Sequence, residues 1–153
     1  MVNLLLLLHL LGVIVWVGGM FFAHMALRPA VAELLQPAQR LALLNGVFGR
    51  FFFWVWLSVI LIAASGGLIM MLLGGFKAAW YIHVMLAGGT VMAAIFAFIF
   101  FFPYSRLKQN VARQDWPAAG IAMARIRTLV GVNLILGLLT TCVAFGGRLS
   151  GGS

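Results

Sequence analysis

Residues 4–22 read LLLLLHLLGVIVWVGGMFF. Every residue there except His9 suits hydrocarbon, and the run matches the roughly 20 apolar residues that a helix needs to cross a bilayer. The rest of the chain follows the same pattern. It is 65% hydrophobic and 8% charged, with a mean hydropathy of +1.16, whereas a soluble domain carries about a quarter charged residues. The only acids are Glu33 and Asp115. This composition predicts an all-α integral membrane protein, a single four-transmembrane-helix bundle over residues 1–148, followed by a flexible tail at 149–153.

The predicted spans are Leu4–Leu27, Phe51–Leu73, Ala78–Phe102 and a last one over 125–145, whose apolar stretch proper is Thr128–Phe145. Arg28-Pro29 is expected to end the first span, Gly74-Gly75 the second and Pro103 the third. The segment WPAAGIAMARIR lets the last helix start earlier, with Pro117 in its first turn. Between spans one and two, Leu34, Leu41 and Leu44 have the spacing of a short amphipathic helix at the interface.

The basic residues set an orientation. Arg28, Arg40 and Arg50 lie in the first connection, and Arg106, Lys108, Arg113, Arg125 and Arg127 in the third. The other side has only Lys77 and Arg148. By the positive-inside rule both termini face outward, toward the periplasm of a bacterial inner membrane. The same topology accounts for the net charge of +8 and pI of 11.6, so no nucleic-acid partner is needed; the partner is the lipid bilayer. The lone Cys142 excludes an intramolecular disulfide. The first apolar run exceeds a signal peptide's core of about 7–15 residues and is read as retained.

Intramembrane ionisable residues are functional candidates by default. His9 and His83 each lie five residues into parallel spans, roughly 7–8 Å below the outer interface at about 1.5 Å per residue. His9, Gly12, Trp16, Gly19, Met20 and Ala23 form one helical stripe, and His83, Ala87, Thr90, Ala94 and Ala97 another. Small residues on such stripes mean close helix packing, or room for a flat macrocycle. Two histidines on facing helices are an axial ligand set for haem b. Met70, Met71, Met85 and Cys142 reach the same side, and with imidazole they make a soft ligand set for copper; methionine packing is the plainer account of each. His24 lies about 22 Å from His9 along the axis and shares no ligand with it. Ser58, Ser65, Asn133 and Thr140 supply interhelical hydrogen bonds. No embedded acid, phosphate loop or catalytic triad is present.

The segments LHLLGVIVWVGGMFFAHMALRPA, WYIHVMLAGGTVMAAIF, FFPYSRLKQ and ARIRTLVGVNLILGLLT resemble, in this order, the CopD family of bacterial inner-membrane proteins. That resemblance implies copper binding, uptake or resistance. The chain is also distantly similar to the HemJ type of protoporphyrinogen oxidase, a haem-associated four-helix protein. There a helix-1 histidine precedes a tryptophan by seven residues, as His9 precedes Trp16. The family's functional lysine falls at Met85 here, which argues against oxidase activity and leaves a haem site open.

Three functions follow as expectations. The first is a haem b-binding electron-transfer protein, with His9 and His83 as axial ligands, Trp16, Met20 and Met85 against the macrocycle, and a quinol or periplasmic redox partner. The second is a CopD-like copper-binding or copper-transport protein. The third is a non-catalytic membrane subunit of a larger complex or homo-oligomer.

Overall fold

The structure, a computed structural model, describes the backbone of residues 1–150 and the side chains of all of these except Phe76, Arg148 and Ser150. Of the expected tail, residues 151–153 lie outside the described residues, and the last helix runs on to Ser150. Every regular element described is helical. Four helices are long and apolar enough to cross a membrane: α1, Val2–Leu34; α2, Pro37–Leu72; α3, Trp80–Ala112; and α4, from Trp116.

The helices extend beyond the apolar spans at one end, and prolines are the reason this needs explaining. Pro29 and Pro103 were expected to stop α1 and α3, but both helices continue past them. A proline lacks the N–H of the helical ladder and its ring collides with a carbonyl one turn back. Here wider π-type turns precede or contain each proline, over Ala23–Leu27 and Phe100–Tyr104. Such turns loosen the ladder locally and let the chain go on.

The first connection also differs from expectation. Only residues 35 and 36 are non-helical between α1 and α2, both in extended conformation. Pro37 then opens α2, because proline forces its predecessor out of helical geometry and is itself suited to a first turn. The expected interfacial helix is therefore the start of α2, with Leu41 and Leu44 in the core and Leu34 exposed.

The other two turns follow local chemistry. Gly74, with φ of +102°, takes the left-handed position after α2, where a glycine is the least strained residue. Asp115 caps α4, its Oδ1 accepting from the Ala118 N–H at 3.1 Å, with Pro117 in the first turn as the sequence predicts.

Neighbouring helices run antiparallel, α1 on α2, α3 on α4 and α1 on α4. A methyl placed on Gly12 would stand 2.8 Å from the Ile62 side chain, and one on Gly19 would overlap the Phe51 ring. On the other pair, Gly88 faces Thr140 and Gly147 faces Tyr81. The core sits toward the basic end. Phe52 is at its centre, edge-on to Phe96 at 5.4 Å and to Tyr104 at 4.9 Å and stacked on Phe48 at 5.4 Å. Phe53, Trp54, Phe101 and Phe102 point outward, as lipid-facing aromatics do.

Candidate functional site

His9 is half-buried on the face of α1 that meets α2. Its Nδ1 lies 3.1 Å from the Ser65 hydroxyl, and that hydroxyl donates to the Leu61 carbonyl at 2.6 Å. With the serine's only proton committed to Leu61, its oxygen accepts, and the imidazole donates from Nδ1. The neutral ring then carries its lone pair on Nε2. This is how metal-ligating histidines are oriented, one nitrogen held by a neighbour and the other left for the ion. Gly66 makes the approach possible: a methyl there would stand 3.1 Å from His9 Cε1.

His83 is differently placed. It lies near the start of α3, with Nδ1 3.3 Å from the Ala79 carbonyl of its own helix. Neither hydrogen bond joins the two histidines. Their levels can be compared through α4. Tyr81 faces Gly147 and Gly88 faces Thr140, which puts His83 level with about residue 145 of α4. Val17 faces Gly137 and His24 faces Gly131, so at that register His9 also stands level with about residue 145.

The sulfur residues divide. Met71 is 75% exposed on the outer surface, and Cys142 is free and exposed. Met70 and Met85 are half-buried. Among the described residues no three of His, Cys, Asp and Glu come together as a metal cluster. An ion at this end would therefore need thioether sulfur or a ligand from outside beside any histidine that holds it.

Trp16 and Met20 are in the core, 3% and 2% exposed. Trp16 packs edge-on to Phe96 with ring centres 6.2 Å apart. The glycines of the His9 stripe are taken up by neighbouring side chains, Ile62 against Gly12 and Phe51 against Gly19, whereas Ala87, Thr90 and Ala94 of the His83 stripe are exposed. Close helix packing accounts for Gly12 and Gly19. Asn133 forms its interhelical bond, Nδ2 to the Met92 carbonyl at 3.3 Å, while its Oδ1 is buried without a partner.

A family model described as CopD, copper resistance protein D, matches residues 45–146, or 102 of the 153 residues. The chain belongs to the CopD family. No curated protein and no solved structure matches it. The CopD match covers most of α2 and all of α3 and nearly all of α4, and so includes Ser65, Met70, Met71, His83, Met85 and Cys142; His9, Trp16 and Met20 precede it.

Sequence reasoning named Ser65 as an interhelical hydrogen bonder but did not join it to His9. The signal was the antiparallel register of a helical hairpin, which pairs residues 56 apart only once the turn is placed. It also set His24 aside as sharing no ligand with His9. In the fold His24 lines a cavity at the basic end, with arginines from three helices.

Proposed function

We propose that this protein is a copper-resistance-related protein of the bacterial inner membrane that takes copper as cargo at the His9 end of the bundle. Membership of the CopD family carries this reading. The Ser65-oriented imidazole supports His9 as the first ligand, with Met70 and Met85 as the soft partners that suit Cu(I). The placement of eight basic residues at the opposite end supports periplasmic termini, and so a site open to the periplasm.

Titration of the purified protein with Cu(I) against a chromophoric chelator tests this. Retained copper that is lost in His9→Ala and weakened in Met70→Leu/Met85→Leu supports the reading. Copper retention unchanged in His9→Ala sinks it.

A second reading, haem b between His9 and His83, is favoured by the common level of the two histidines. Haem would supply single-electron transfer to a quinol or periplasmic partner. Trp16 and Met20, however, are packed against protein side chains, and the gaps at Gly12 and Gly19 are filled, so the residues present fit a macrocycle poorly. An absorption spectrum of oxidised and dithionite-reduced protein separates the readings. A Soret band lost in both His9→Ala and His83→Ala would replace copper with haem. A protein with neither copper nor haem would favour the third expectation, a membrane subunit of a larger complex.

A further inference from the structure

At the basic end, α1, α2 and α4 enclose an open cavity of about 320 Å³. Arg28 comes to it from α1, Arg40 from α2 and Arg127 from α4, with His24 beside them and Phe48 and Phe52 forming part of its apolar wall. Arg28 lies within electrostatic reach of both other guanidinium groups.

Membrane topology asks only that basic residues lie on this side of the bilayer. It does not ask three helices to line one cavity with arginines, where like charges repel. Nor does the protein neutralise them. The chain has two acidic side chains; Asp115 caps α4, Glu33 is exposed, and among the described residues none of the three guanidinium groups has an ion-pair or hydrogen-bond partner. A guanidinium presents a planar fork of donors that matches phosphate oxygens. The apolar wall behind the arginines suits hydrocarbon.

We infer that this cavity binds a phosphoryl anion, the head group of an anionic phospholipid being its natural source, between α1, α2 and α4. Basic pockets between membrane helices are a recognised form of head-group site. The inference is independent of copper at the opposite end.

The test uses the full chain, delipidated in neutral detergent. Thermal unfolding is followed while phosphatidylglycerol, phosphatidylcholine or sodium phosphate is added at constant ionic strength. Phosphatidylglycerol is expected to raise the midpoint and phosphatidylcholine to leave it unchanged. In Arg40→Gln/Arg127→Gln the concentration for half effect should rise roughly thirtyfold. Arg106→Gln/Arg125→Gln, which removes the same charge at a separate surface cleft, should behave as the wild type. Full protection by sodium phosphate alone would keep the site and assign it to a free anion. Equal protection by both lipids, or equal loss in both double variants, would overturn it. Should Arg40→Gln/Arg127→Gln fail to fold, displacement of phosphatidylglycerol from the wild type by phosphate but not chloride carries the same decision.

Discussion

In the basic half of the bundle, Phe48, Phe52, Phe96, Tyr104, Leu107 and Ile126 interlock from three helices, each 8% exposed or less. In the His9 half the buried residues are of another kind: Gly12, Ser58, Ser65 and Gly147. There α1 pairs with α2 and α3 with α4 through glycine contacts, without a large shared core. The difference teaches where each job is done. Between membrane helices, lipid removes the hydrophobic driving force and leaves close packing and hydrogen bonds. The aromatic half supplies packing across all four helices. The glycine half brings helices close enough for His9 to meet Ser65 and keeps both histidines only partly buried.

The largest expected effect strikes the aromatic half. Phe52→Ala should cost about 3 kcal/mol, the low end for such a truncation because no hydrophobic transfer term operates in lipid. Thermal or denaturant unfolding in detergent would measure it, and a loss comparable to that of His83→Ala would erase the contrast between halves. Next, Gly12→Ala sets a methyl against Ile62 and 3.3 Å from the Ser58 carbonyl oxygen. Overpacking of this kind costs about 1–3 kcal/mol, and the same unfolding assay should find it smaller than Phe52→Ala.

Ser65→Ala should act on binding more than on stability. Removing the group that orients a ligating histidine typically costs about ten- to hundredfold in metal affinity, readable in the Cu(I) competition titration. An unchanged affinity would mean that Ser65 does no more than pair two helices. Asn133→Leu should change stability by less than about 1 kcal/mol, because its bond is long, its Oδ1 already lacks a partner, and the Met92 carbonyl it leaves sits inside a helix whose own N–H groups satisfy it. Smallest of all, Cys142→Ser, at an exposed thiol, should shift stability by under about 0.5 kcal/mol and leave Cu(I) affinity intact. A clear loss of copper there would extend the site to α4.

Much of this was legible along the chain. Runs of about 20 apolar residues announce spans because hydrocarbon leaves a backbone no other way to satisfy its hydrogen bonds. Gly74 and Pro117 announced a stop and a start because φ freedom and a missing N–H are local properties. Pro29 and Pro103 misled for a reason also local, but one step larger: a wider turn next to a proline relieves its clash, and the composition of LRPA or FFPY does not reveal that turn. The aromatic runs divided only when folded. FFFWVW holds both Phe52, 2% exposed, and Phe53, 66% exposed, since adjacent residues on a helix point about 100° apart.

The sequence by itself determined the membrane class, the four helices, the crowding of positive charge at one end and the presence of histidines near the other. Each of these depends on the transfer of single residues between water and hydrocarbon, which neighbours in space alter little. The tertiary structure alone decided that His9 turns toward Ser65 on α2, that Gly66 makes room for its ring, and that Arg28, Arg40 and Arg127 converge on one cavity. Those facts depend on helix rotation and register, which are set by how glycines and bulky side chains on different helices fit together.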